Sequence, residues 1–485
     1  MPVFHIAAEC APFAKVGGLA DVVGALPKAL ATQGVPSAVV MPFYGGRGGR
    51  IANMTSPLEA VHTGVVFLEG EFFPFEVFRS DVLDDVPLYL VDEEKHFGDD
   101  GVYFRSSDNG LFDRMEVRYL VFQLMVLDWL RSENTPLEGA DVLHLHDHHG
   151  GLIPVLLEAD PANAEIAHVP TVLTVHSADH HGEIGWSHWD SLGLGLPDWR
   201  AIDHLGRVNS LKAGVQHADR VTTVSPSYAR ELVASPDPSH GLDYVFEGAS
   251  DRLSGIVNGV DLEEWNPATD PRLPAHYSAD DLRGKAETKR AVCDALGLEA
   301  DRPLLVYVGR LTPEKGAEVL APGVEAILRE TDAAVAVLGS GYEAHEAALR
   351  SVLEDAPAGR MSLTLAFDEA LAHRLYAAAD FFVMPSKQEP CGLGQLYAMR
   401  YGAPPVVHAV GGLKDTVDDW DGETGTGFAF DAYTPDAFLD ATQRALEVAA
   451  DPDAYVAVQQ NGMRADHSWG ASAKDYAALY DALEV

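Results

Sequence analysis

Two cations stand beside one turn in "YVGRLTPEKG", Arg310 just past an apolar run and Lys315 five residues on. An arginine fork and a lysine point charge together suit a diphosphate. The competing reading is a surface ion pair with Glu314. Further along, "ADFFVMPSKQEPCGLGQLYAMRYGAPPVV" reads as a buried strand ending at Pro385 and Ser386, then a loop through Glu389, Cys391, Gly392 and Leu393 into a helix. Backbone N–H groups at such a helix start can hold a phosphate, and Glu389 can bind sugar hydroxyls. Cys391 invites a thiol-catalysis reading, but no His/Asn partner pattern accompanies it, so it reads as a small residue lining the site.

In the first half, "KVGGLADVVGALPKAL" places Lys15, Gly17, Gly18 and Asp21 between a first strand and a helix. Glycines there let backbone approach a ligand and leave helix N–H groups free for an anion. A plain tight turn with a surface lysine fits equally well. The stretch is neither a P-loop nor a G-x-G-x-x-G fingerprint. The run "HLHDHHGGL" sets four histidines around Asp147. Its spacing matches neither H-E-x-x-H nor a zinc finger, and strand alternation sends neighbours to opposite faces. A polar ligand contact by Asp147 or His149 is therefore preferred, and no metal is expected. The stretch "TVHSADHHGEIGW" puts His176 at a comparable strand end, with His180 and His181 in the loop beyond.

These residues need strands that end together. Short apolar runs, "VFHIAAE", "SAVVMPF", "DVLHLHD", "TVLTVH", "RVTTVS", "PLLVYVGR", "AVAVLG" and "ADFFVMPS", alternate with helical patterns such as that over 109–130. Near-continuous apolar strands indicate parallel sheets covered on both faces, and the alternation indicates doubly wound α/β architecture. At 485 residues the chain is too long for one core. A Gly- and Asp-rich segment near 250 precedes a fresh βα series, so two Rossmann-like domains are expected, 1–250 and 251–465. A C-terminal helix over 466–485 is expected to pack back on the N-terminal domain. Ligands of such proteins bind at the carboxyl ends of the strands, in the cleft the two domains face.

Composition narrows the partners. Acidic residues number 74 against 34 basic, a net charge of −40, which disfavours nucleic acid and anionic membranes. The acid is spread along the chain, which suggests a high-salt cytoplasm where ions screen self-repulsion; an ordinary acidic surface is the alternative. No window approaches a membrane span, the N-terminus lacks signal-peptide features, and three cysteines argue against a disulfide framework. A cytoplasmic enzyme fits, with its oligomeric state open.

The blocks "KVGGLADVVGALPKAL", "HDHHGGL", "TVH", "SGIVNGVDLEEWNP", "KAETKRAV", "GRLTPEKG", "EPCGLGQLYAMRYG" and "GGLKDTV" occur in the order found in bacterial glycogen synthases and plant starch synthases, and the whole chain resembles that family. The resemblance implies a GT-B fold and a retaining transfer of glucose from a nucleoside diphosphate glucose, ADP-glucose favoured, to an α-1,4-glucan, with no metal or other cofactor. The N-terminal domain would be the acceptor side, the C-terminal domain the donor side. By position, Lys15, Gly17, Gly18 and Asp21 would meet the donor. Arg310 and Lys315 would neutralise its pyrophosphate. Glu389 would bind glucose hydroxyls, aided by Ser386 and the backbone of Cys391, Gly392 and Leu393. Asn258 would touch the sugar and Phe367 would lie near the base. Asp147 and His176 would face the transferred glucose, with Asp147 and His149 on the acceptor side.

The chain departs from the family at Ser177, at His180 and His181, at Ala366 and Phe367, and at Gly394, where threonine is usual. Tyr397 replaces the second glutamate of the wider superfamily, as these synthases share. The competing functions are a related transferase with a small acceptor and a degenerate sugar-binding paralogue.

Overall fold

The computed structural model describes residues 2–103, 115–133, 135–137, 141–196 and 198–483. The chain divides into two compact units. The first comprises Met1–Val224, Ala229–Gly259 and Trp469–Val485; the second comprises Ser225–Tyr228 and Val260–Ser468. The first unit reaches Gly259, past the 250 read from the sequence, because Leu253–Gly255 pairs in parallel with Arg220–Thr223 in its sheet.

The first unit holds a nine-stranded sheet. In spatial order its strands are Leu253–Gly255, Arg220–Thr223, Thr171–Val175, Val142–His146, Val3–Ile6, Ser37–Pro42, Val86–Asp92, Glu71–Leu83 and Glu59–Leu68. The first seven run parallel, and the central ones, such as Val3–Ile6, Ser37–Pro42, Val142–His146 and Thr171–Val175, are buried throughout. The last two are antiparallel additions. Glu59–Leu68 fully buries only Val66 and Leu68, so it lacks the continuous apolar run by which the parallel strands are read. Val3–Ile6 lies between Ser37–Pro42 and Val142–His146, so strand order reverses beside it. Such a switch point opens a crevice at the strand C-termini, and "AEC…KVGG" and Asp147 both start there.

The C-terminal helix Trp469–Asp481 packs Trp469, Ala473, Tyr476 and Tyr480 into a core with Val3, Val22, Leu26 and Val142 of the first unit. The helix expected over 109–130 is present as Met115–Leu130; residues 109–114 lie outside the described residues.

The second unit holds a six-stranded parallel sheet, ordered Met361–Thr364, Ala334–Leu338, Leu304–Val308, Phe381–Met384, Pro405–His408 and Phe428–Phe430. Apolar cores cover both faces. Its reversal lies between Leu304–Val308 and Phe381–Met384. Those two strands lead into the Arg310–Lys315 turn and the Ser386–Glu389 loop. Among the described residues no helix is long and apolar enough to cross a membrane.

Candidate active site

In the second unit the sequence-predicted residues gather at the switch point. Lys315 Nζ lies 2.7 and 2.8 Å from the two oxygens of Glu389, and Ser386 Oγ donates to Glu389 Oε2 at 3.0 Å. Glu389 is only 4% exposed, so these bonds replace the water its carboxylate would otherwise require. Backbone contacts hold the two loops together: Lys387 and Gln388 donate N–H to Glu314 O at 3.0 and 3.1 Å. Gly316 adopts φ +77°, and a Cβ there would sit 1.8 Å from Pro385 O. No other residue permits that approach. Gly412 plays the same part against Cys391, where a Cβ would meet the carbonyl oxygen at 2.1 Å. The "GGL" resembling the opening motif thus buttresses the Glu389 loop.

Arg310 points its guanidinium to Glu314, 3.3 Å away, the ion pair weighed from the sequence. Its side chain is two-thirds exposed, leaving it available to an anion. Cys391 is buried and forms no disulfide. Gly392 sits at φ +75° and Leu393 caps the helix Gly394–Arg400. A Cβ at Gly394 would lie close to Phe382 at 3.1 Å and Tyr376 Oη at 3.3 Å. Tyr397 lies flat on Trp265, ring centroids 3.6 Å apart, so an aromatic stack occupies the place of the second carboxylate. Phe367 is 88% exposed and makes no contribution to this cluster.

In the first unit, Lys15 Nζ pairs with Asp21 Oδ1 at 2.6 Å. The loop's Val16 and Gly17 N–H groups donate to Glu9 Oε2 at 2.5 and 3.0 Å, while Tyr103 donates to Glu9 Oε1. Glu9 was not singled out in the sequence, and it alters the expected role of Gly17. That N–H already serves a carboxylate, and the helix starts one residue later at Gly18. A carboxylate six residues before Lys15, at a strand's end, was the available signal.

Asp147 follows the strand Val142–His146 with φ +55°, a conformation a non-glycine residue adopts at a cost of about 1–3 kcal/mol and one that clusters at functional sites. Its Oδ1 accepts the His176 backbone N–H at 2.7 Å. Burial pushes its carboxyl up to about 7. Burial also pushes the His176 imidazole down to about 3, so the ring is neutral. His149 is buried against Tyr119 and Tyr103, centroids 4.4 and 5.5 Å away. Asn258 is buried with Oδ1 unpartnered among the described residues. His180 is exposed, whereas burial holds His181 down at about 4.

Metal-ligating types do assemble. His5, which the sequence reading passed over, joins His144 and His146 with ligand atoms within 4.8 Å of one another. Their nitrogens are largely committed, however. His144 Nδ1 meets Tyr480 Oη at 2.7 Å and its Nε2 meets Thr174 Oγ1 at 2.6 Å. Both nitrogens of His146 contact other imidazoles. The cluster is built as a hydrogen-bond network.

Residues 2–248 match the starch synthase catalytic domain family, and 302–448 match the glycosyl transferases group 1 family. A glycogen synthase of Anaeromyxobacter sp. (strain Fw109-5) is 42% identical, covering 100% of this chain and 99% of its own. A glycogen synthase of Streptococcus uberis is 38% identical, covering 100% of both. The catalytic domain of starch synthase IV from Arabidopsis thaliana, bound to ADP and acarbose, superposes with a TM-score of 0.86 at 31% identity, covering 99% of this chain and 98% of that one.

Proposed function

The chain belongs to the family of glycogen synthases and starch synthases, hexosyltransferases of the GT-B fold, and on that premise we propose that it lengthens an α-1,4-glucan at its non-reducing end with glucose from ADP-glucose, retaining the anomeric configuration. The observation that carries the reading is the Lys315–Glu389–Ser386 cluster at a strand-order reversal, with Arg310 exposed beside it. A cation and a buried carboxylate held this way offer one group to a diphosphate and the other to sugar hydroxyls. ADP is favoured over UDP because the related Arabidopsis enzyme holds ADP.

Departure of the nucleoside diphosphate breaks the bond from C1 to the phosphate oxygen and leaves negative charge on that oxygen. Arg310 and Lys315 stabilise this charge, the contribution expected to dominate such a step. A glucan 4-hydroxyl attacks C1 from the same face, and its proton passes to the departing phosphate. This route retains configuration without a carboxylate nucleophile of the kind retaining glycosidases use. By their motif positions, Lys15 contacts the donor and Asp147 and His176 face the transferred glucose. No metal or other cofactor takes part. The net charge of −40 suits a cytoplasm rich in salt, where screening relieves self-repulsion.

The test is nucleotide release from ADP-glucose and UDP-glucose, with and without glycogen, at low and at molar KCl. Glycogen-dependent release with either donor supports the glucan reading. Release only with a small acceptor points to a glucoside or compatible-solute transferase, and no release under any condition to a sugar-binding paralogue.

A further inference from the structure

Three imidazoles form a line that ends at His176. His5 Nδ1 lies 3.1 Å from His146 Nε2, and His146 Nδ1 lies 2.9 Å from His176 Nε2. His5 and His146 are fully buried, while His176 is half-buried. Burial keeps all three rings neutral. Each ring therefore carries one N–H, and the two bonds must run the same way along the line. The far end decides which way. His5 Nε2 is buried with no partner among the described residues. If the line ran outward-in, this nitrogen would carry a buried N–H with nothing to receive it, the rarer of the two kinds of unmet polar group. If it runs inward-out, the nitrogen is a bare lone pair, and His5 and His146 each donate from Nδ1.

We propose that His5 and His146 are positioning residues that act through His176, fixing it in the Nδ1–H tautomer so that the ring presents an N–H donor to an oxygen of the bound sugar. The hydrogen bond at one ring nitrogen sets what the other can do. Here His146 fills His176 Nε2, and the proton must sit on Nδ1. That is the reverse of the Nε2–H form which free histidine favours in water. The second network stays separate: His144 is tied to Tyr480 and to Thr174, which in turn meets Thr222 Oγ1 at 2.5 Å. It packs against His146, ring centroids 4.4 Å apart, and holds that ring's plane without competing for its nitrogens. A sugar oxygen as recipient rests on the glucosyl-transfer reading above; the tautomer itself does not.

The test uses the full chain labelled with [15N]histidine. Long-range 1H–15N spectra report the tautomer of each ring, and His176→Gln identifies the His176 signals by their loss. The expected result is Nδ1–H at His176 in the unaltered protein. His146→Leu should shift His176 toward Nε2–H and lower kcat about 10²-fold, with donor KM changed less than about threefold. His146→Asn returns an amide N–H near the Nδ1 place and should restore both the tautomer and most of kcat. An Nε2–H tautomer at His176 in the unaltered protein overturns the proposal, as does unchanged kcat in a folded His146→Leu. If His146→Leu does not fold, the unaltered spectrum and the Asn variant decide. Absence of glucosyl transfer in the unaltered protein would refute the functional reading while leaving the tautomer measurable.

Discussion

Lys315 Nζ bridges both carboxylate oxygens of Glu389, 2.7 and 2.8 Å away, although the two residues follow different strands and stand 74 positions apart. The sheet brings them together, since Leu304–Val308 and Phe381–Met384 are hydrogen-bonded neighbours. Each strand then ends at the reversal of strand order, and a glycine at 316 lets the loops touch.

Glu389→Ala removes the partner of both Lys315 and Ser386. Lys315 keeps some access to water, so the cost in stability is about 1–3 kcal/mol, small enough to leave the protein folded. Turnover should fall by orders of magnitude because the sugar loses its buried acceptor. Steady-state kcat beside a melting curve checks this, and near-normal turnover would remove Glu389 from the site.

Lys15→Ala separates donor binding from folding. The Lys15–Asp21 pair is exposed and worth at most about 1 kcal/mol, so the melting temperature should barely move. A lost charge-assisted contact to a phosphate should lower donor kcat/KM about 10- to 100-fold, with KM for glycogen unchanged. A variant with unaltered donor KM would show that the loop does not meet the donor.

Asp147 makes stability depend on pH in a defined direction. Its carboxyl is raised to about 7 by burial, so between its unfolded value near 4 and that value the folded chain binds a proton the unfolded chain has released. The contribution is fully present below about pH 4 and is lost as pH rises toward 7, on the order of 2–4 kcal/mol in all. Asp147→Asn should flatten that slope, as read by urea midpoints across the window. An unchanged slope would mean that Asp147 titrates like an exposed carboxyl.

The two halves were unequally legible in the sequence. Runs such as "PLLVYVGR" and "ADFFVMPS" became central parallel strands because residues buried on both faces must be apolar. The antiparallel pair Glu59–Leu68 and Glu71–Leu83 stayed hidden because one face is open, with Phe67 and Phe72 exposed. Lys315, Ser386 and Glu389 could be found from residue type beside a strand end. Glu9 and His5 could not, since a single carboxylate or histidine in a buried strand carries no spacing signal. Their partners, Gly17 and His146, are set by folding.

Screening gives a further expectation. If the −40 charge reflects a salt-rich environment, activity and melting temperature should both rise as KCl goes from low to molar concentration. A fall in both would make the acidity an ordinary surface property.

The most direct measurement follows labelled glucose. Protein incubated with [14C]ADP-glucose and glycogen should yield labelled polymer, and β-amylase, which removes maltose from non-reducing ends of α-1,4-chains, should release that label as maltose. Label that resists β-amylase, or that appears only in a small glucoside, would contradict glucan elongation.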